Sequence, residues 1–367
     1  MPRQEIAASI LPSLPPGARI LIIRLRSIGD IVLLTPSLRL LKEWRSDLRI
    51  SVVIESRFRE LLENNPDVSE ILDPGHGSGL TKLASRAHAV REIRRREFSL
   101  CLNLHGGPTS SLLTSWSGAR WKAGFEHFRR HGIYQVLIPD ARNILNKPVI
   151  HTAEHQASAF FHLGSPHKEI PPARLFVAPA EEAAWKERRA ALGLPPERAY
   201  AVIHPTALYA TKQWAPENFS RLGAYLENEI GLPVIYSCGP GESAVLDAVE
   251  KSTSTPLRRL EGPSLKQFAA VLAGGRIFIG NDSGPAHMAA ALGRPGVVIF
   301  GSSSSRIWGP WPPSGGWQIV QNDYDCNPCP GDRCYRFERP ECILTVTYEQ
   351  VRSAVEKVLT QVPQASR

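Results

Sequence analysis

The chain has 367 residues, 43% hydrophobic and 21% charged, with a formal net charge of +8. At roughly 100–200 residues per domain, this length favours two domains, each large enough to bury a core. No apolar run approaches the about 18 residues that a membrane-spanning helix needs, which excludes that class.

The N-terminal "MPRQEIAASILPSLPPG" is broken by Pro12, Pro15 and Pro16. It does not read as a signal peptide, so a cytoplasmic location is expected, peripheral to the inner membrane at most. "RILIIRL" (19–25) is an apolar run of buried-strand type, and Leu34, Leu38 and Leu41 then recur at helical spacing. Thr35-Pro36 either opens that helix or kinks one that begins nearer Asp30. "RISVVIES" (49–56) reads as a strand, "RFRELLENN" as a helix, "EFSLCLNLHG" (97–106) as a strand and "PTSSLLTSWSG" (108–118) as a helix. "RWKAGF" and "YQVLIP" follow. Part of the positive charge lies in "REIRRRE" (91–97) and Arg129-Arg130. It suits a solvated helix face, or a surface for nucleic acid, phosphorylated sugars or an acidic membrane.

The second half restarts the rhythm. "AYAVIHP" (199–205) is strand-like, and "APENFSRLGAYLENEIG" (215–231) is a helix stopped by Gly231. "LPVIYSCG" is the next strand, and "PGESAVLDAVEK" and "SLKQFAAVLAGG" are helical. "RIFIGN" and "GVVIFG" are strands on either side of the helix "PAHMAAALG", and "TYEQVRSAVEKVLTQV" (347–362) is a final helix. Strands alternating with helices, twice over, predict two parallel-sheet α/β domains. The boundary is placed in the Pro-rich stretch 164–175. The expected division is 1–170, 171–346, and a helix and tail, 347–367, that could pack back on the first domain.

Four strand-end loops could carry chemistry. Asp30 follows the first strand, where open parallel sheets collect ligands. It is open to two roles, a helix N-cap or a general base. In "NDSGPAH", Asp282, Ser283 and Gly284 precede a helix with Pro285 in its first turn, a ready anion site suited to a diphosphate. His287 lies in the same turn, where it could hold a phosphate or simply be a satisfied core histidine. In "HPTALYATKQW", Thr206 can bond a phosphate oxygen and Lys212 can neutralise one. In "CGPGES", Glu242 could accept from sugar hydroxyls. The arrangement suggests a nucleotide held by the second domain and a base supplied by the first, across a cleft. The G-x-G-x-x-G fingerprint is absent at the first turn, which weakens an oxidoreductase reading.

Cys101 and Cys238 sit in apolar runs, as packed residues do. Cys326-x2-Cys329-x4-Cys334-x7-Cys342 suits a structural Zn or Fe ion, or else four reduced thiols in a packed loop.

The pieces "ILIIRLRSIGDIVLLTPSLRLLK", "HPTALYATKQWAPENF", "GPGE", "SLKQFAAVLAGGRIFIGNDSGPAHMAAALGRPGVVIFG" and "CNPCPGDRC" stand in one order over residues 19–345. In that order the chain resembles the ADP-heptose:lipopolysaccharide heptosyltransferases, glycosyltransferase family 9. The resemblance implies a GT-B fold of two Rossmann-like domains. It also implies inverting transfer of heptose from ADP-L-glycero-D-manno-heptose to a lipopolysaccharide inner-core acceptor, without a catalytic metal. It makes Asp30 the general base on the acceptor hydroxyl. Thr206 and Lys212 would bind the donor diphosphate, Glu242 the ribose, and Asp282, Ser283, Gly284 and His287 would line the donor site. For the anionic, lipid-linked acceptor it points to the first domain, where Arg57 and Arg120 are candidates, with Arg59, His105 and Lys122 in suitable stretches. A monomer working at the cytoplasmic face of the inner membrane is expected, with no nucleic-acid partner, since no such motif occurs. The alternatives are a nucleotide-sugar epimerase of similar architecture and a heptosyltransferase acting on a protein.

Overall fold

The structure, a computed structural model, describes residues 3–195, 197–253, 255–312 and 315–361. The chain divides at Phe176–Val177 into two units. Each is built on a sheet whose pairings are all parallel.

The first sheet contains β1 (Arg19–Ile23), β2 (Arg49–Val53), β3 (Glu70–Leu72), β4 (Leu100–Asn103), β5 (Trp121–Phe125) and β6 (Val136–Ile138), in the order β3-β2-β1-β4-β5-β6. Its central strands are continuous apolar runs because helices cover both faces. Ile20–Ile23 and Leu100–Leu102 are essentially inaccessible to water. The second sheet contains β7 (Ala201–His204), β8 (Val234–Cys238), β9 (Arg259–Glu261), β10 (Ile277–Asn281), β11 (Gly296–Phe300) and β12 (Trp317–Gln321), in the order β12-β11-β10-β7-β8-β9. Read from each unit's own first strand, the two orders are the same, 3-2-1-4-5-6. In both sheets the order reverses between the first and fourth strands, and beyond their carboxyl ends lies the crevice where such sheets bind ligands.

Three local segments bear on these expectations. The chain around Pro36 satisfies both alternatives: a short helix, Ile28–Val32, is followed by a second, Thr35–Trp44, with Pro36 in its first turn. "RFRELLENN" forms only a 3-10 segment, Ser56–Leu61. Asn64 then turns to φ 65°, and Pro66 holds Asn65 out of the helical region. The C-terminal helix Tyr348–Gln361 belongs to the second unit, and the tail after Gln361 lies outside the described residues. Val351, Ala354, Val355 and Val358 are buried in the second unit's core with Trp214 and Ile299. Among the described residues no helix is long and apolar enough to cross a membrane.

Candidate active site, in two halves

In the second unit the loops after β7 and β10, its first and fourth strands, carry most of the expected donor residues. β7 ends on His204, which is buried between Ser237 of β8 and Thr206. The Thr206 hydroxyl donates to Glu242 Oε2 at 2.7 Å. The 2.8 Å contact with His204 is therefore a bond from Nε2–H to Thr206 Oγ1, and Nδ1 accepts from Ser237 at 2.9 Å. This is a neutral imidazole in one tautomer, and burial holds it so by pushing its pKa down to about 4. Glu242 Oε2 also accepts from the Gly239 amide at 2.8 Å, where a Cβ on Gly239 would collide with the carboxylate. Among the described residues both bonds use Oε2. Thr206, expected at the donor diphosphate, gives its hydroxyl proton to Glu242 in this structure and orients that carboxylate.

Lys212 closes a 3-10 turn, Ala210–Lys212, and Nζ donates to Asp282 Oδ2 at 2.7 Å. The same oxygen accepts from Ser303. Asp282 is nearly buried, with 6% of its side chain exposed against 23% for Lys212. Asp282 thus aims the ammonium group and adds no positive character of its own. Ser283 is the N-cap of helix Gly284–Ala291, with Pro285 in the first turn. Its Oγ is buried with no hydrogen-bond partner among the described residues. The amide of Gly284 opens the helix and has no acceptor within it. A partly exposed ammonium, an uncommitted hydroxyl and a helix N-terminus together make a site for an anion. His287 is buried in the same helix. Asn281 is structural, since its side chain bonds Trp214 N and Pro205 O.

The segment after β11 braces this half. Thr211 donates to the carbonyl of Gly331, Ser302 Oγ donates to Thr211 Oγ1 at 3.1 Å, and the Cys329 amide donates to Ser302 O at 3.0 Å. Lys212 and Ser303 are the chain neighbours of these two clamped residues. Cys326, Cys329, Cys334 and Cys342 line one cavity of about 340 Å³ with Thr211 and Ser302. Burial, then the other three thiols, raises Cys342 to about 11. The expected metal set is not assembled: among the described residues no three His, Cys, Asp or Glu side chains are gathered as ligands. Cys342 is fixed in helix Glu341–Leu344, against the core, while the others sit in the preceding loop.

In the first unit the loops after β1 and β4, again the first and fourth strands, hold Asp30 and His105. Asp30 is the third residue of helix Ile28–Val32, and Oδ2 accepts from Ser27 N and Oγ, each at 3.2 Å. Oδ1 accepts from Arg24, which also reaches the carbonyl of Leu104. Gln156 donates to the Asp30 carbonyl at 3.0 Å. The carboxylate is therefore oriented at both oxygens and still 16% exposed at its side chain. It caps the helix and faces solvent at once. His105 is depressed by burial and by Arg24 and Arg26, which disfavour its cation. Its loop is held by Asn103 Oδ1, which accepts from the amides of His105 and Gly106 at 2.9 and 3.2 Å.

The two arginines proposed for the acceptor fare differently. Arg57 follows β2, on the same rim as Asp30, and is exposed and paired with Glu55 at 2.8 Å. Arg120 immediately precedes β5. In a parallel sheet this is the opposite end from Asp30, so its expected place beside the acceptor is corrected. Arg59 pairs with Glu63 and Lys122 bonds Ser115 O. Sequence reasoning missed Arg24, His204, Ser237 and Ser303. The signal that could have found Arg24 and His204 is their position at the end of a central strand.

The family model of glycosyltransferase family 9 (heptosyltransferase) matches residues 86–336. The chain is 28% identical, over 77% of its length and 82% of the relative's, to lipopolysaccharide heptosyltransferase 3 of Escherichia coli. In fold it is similar to a family 9 glycosyl transferase from Veillonella parvula, with a TM-score of 0.79 at 20% identity, covering 94% of this chain and 97% of that one. It is also similar to the E. coli ADP-heptose lipopolysaccharide heptosyltransferase II, with a TM-score of 0.77 at 20% identity, covering 94% and 99%. With two Rossmann-ordered sheets, and polar loops at the point of order reversal in each, the chain belongs to glycosyltransferase family 9, the heptosyltransferases, and is a glycosyl-transfer enzyme of the GT-B fold.

Proposed function

We propose that the protein transfers heptose from ADP-L-glycero-D-manno-heptose to an anionic, lipid-linked sugar of the lipopolysaccharide inner core, with inversion. The observation that carries this is the matched placement of Asp30 and of the Lys212–Ser283 anion site, each beyond the first and fourth strands of its own sheet. The likeness in fold to the E. coli ADP-heptose lipopolysaccharide heptosyltransferase II supports the donor.

In the proposed reaction the donor diphosphate lies at the N-terminus of helix Gly284–Ala291, with Lys212 beside it and Ser283 Oγ donating to it. Glu242 Oε1 accepts from the ribose. Asp30 takes the proton of the acceptor hydroxyl as its oxygen forms the bond to the anomeric carbon. The bond from that carbon to the diphosphate oxygen breaks, and its electron pair leaves with ADP. A single displacement of this kind inverts the anomeric centre. Lys212, Ser283 and the helix N-terminus stabilise the charge that grows on the leaving group. No step is routed through a metal. The acceptor's lipid places the reaction at the cytoplasmic face of the inner membrane, with the enzyme peripheral and monomeric.

Calorimetry with ADP, GDP and UDP tests the donor. ADP binding at least about tenfold tighter than the other two is expected, and equal binding or a preference for GDP or UDP overturns the assignment.

A further inference from the structure

Helix Gly79–Arg94 carries apolar side chains on two sides. Ala89, Val90 and Ile93 are buried in the first unit's core. Leu80, Leu83, Ala84, Ala87, Arg91 and Arg94 recur at helical spacing on another side, and every one of them is exposed. Leu80 is 83% exposed and Leu83 64%. Residues 76–84 are exposed without a break, so the first turn and a half of the helix projects into solvent. Two leucines on one projecting stripe forgo the burial that otherwise holds helices in place.

The rest of the stripe is cationic. Between Gly79 and Arg96 there are six lysines and arginines and one acidic residue, Glu92. Arg96 is taken by Glu70 and Glu92, Arg95 by Glu92, and Arg86 donates to Thr109. Lys82, Arg91 and Arg94 have no ion pair among the described residues. The helix runs back from the carboxyl end of β3 to the amino end of β4. Its leucine-bearing start therefore stands on the rim of the sheet that also carries Asp30 and His105.

We propose that this stripe is a docking surface for an anionic lipid bilayer. Leu80 and Leu83 enter the headgroup–acyl boundary while Arg91 and Arg94 meet the lipid phosphates. A second copy of the chain is the poorer occupant, because the stripe carries no acidic residue and a self-contact would bury Arg91 and Arg94 without a partner. The inference deepens the proposed function and rests on its lipid-linked acceptor: docking by this stripe brings the acceptor rim to the surface that carries the substrate.

The test is co-sedimentation of the full chain with vesicles of phosphatidylcholine alone and of phosphatidylcholine mixed with phosphatidylglycerol. Binding to the mixed vesicles, weakened by salt, is expected. The double variant Leu80→Ser/Leu83→Ser should bind them at least about tenfold more weakly, and Arg91→Gln/Arg94→Gln should lose the preference for the anionic lipid. ADP affinity should be unchanged in both. Failure of the parent chain to bind mixed vesicles overturns the proposal, as does undiminished binding by the leucine variant. So does a switch from dimer to monomer in that variant, which assigns the stripe to a second copy. Loss of the ADP preference with vesicle binding intact would instead count against the proposed function alone.

Discussion

Lys212→Met separates the two jobs that the Lys212–Asp282 pair performs. The ion pair is 2.7 Å long, and only 6% of the Asp282 side chain is exposed. Removing one member of a buried pair typically costs about 3–5 kcal/mol, because the other charge is left uncompensated. Here Ser303 still donates to Asp282 and Lys212 is partly open to water, so a loss of about 2–3 kcal/mol of folding stability is expected. Separately, the variant loses a charge-assisted bond to the donor diphosphate, worth about 1.5–3 kcal/mol, which weakens ADP binding by roughly 10- to 100-fold. Urea unfolding reads the first effect and calorimetry with ADP the second. Adding Asp282→Asn to Lys212→Met should restore most of the stability, since no buried charge remains, yet leave ADP binding weak. Unchanged ADP affinity in Lys212→Met would refute the reasoning and reduce the pair to a structural contact. Full recovery of ADP binding in the double variant would refute it equally.

Two further outcomes follow from the same geometry. Burial holds His204 and His155 at about 4, against 6.5 for a free histidine, with His155 stacked on Phe125 at 4.1 Å. Both are neutral when folded, so the unfolded chain binds more protons below pH 6.5. Their contribution is intact above pH 6.5 and is lost as the pH falls towards 4, by up to about 3 kcal/mol for each. Urea midpoints across that window should fall, and His155→Phe should flatten the slope; an unchanged slope would contradict the assignment. Thr211→Val removes the hydroxyl that ties the Lys212 turn to Gly331 and Ser302. It should raise the donor KM several-fold with little change in kcat, and Thr211→Ser should restore it. A loss confined to thermal stability would show that the brace does not reach the donor site.

The α/β alternation was legible because central parallel strands are buried on both faces and read as unbroken apolar runs, as "ILII" and "VVIF" do. The edge strands β3 and β9 have three residues each, too few to show a period, and they are strands only because a neighbour pairs with them. The anion loop "NDSGPAH" was legible because helix capping is local chemistry. The Lys212–Asp282 pair joins positions 70 apart in the chain, so each residue could be singled out while their bond could not. Ser303 carries no local signal, and Arg24 is marked only by its place just after β1, so their parts emerge from strand order. Arg120 was misplaced for the same kind of reason. Charge identified it as a candidate, but only the direction of β5 shows which end of the sheet it occupies. At Asp30 the sequence left cap and base open as roles that do not exclude each other, and the short helix supplies the cap bonds from Ser27 that hold the carboxylate the proposed reaction uses.

In the proposed reaction this carboxylate takes the acceptor's proton. Asp30→Asn preserves size and can still accept from Ser27, but cannot accept that proton. The decisive measurement is the initial rate of heptose transfer by Asp30→Asn, taken beside its ADP affinity. A rate lower by on the order of 10²–10⁴ is expected, with ADP binding within about twofold of the parent. Transfer at the parental rate would contradict it and leave Asp30 as a helix cap.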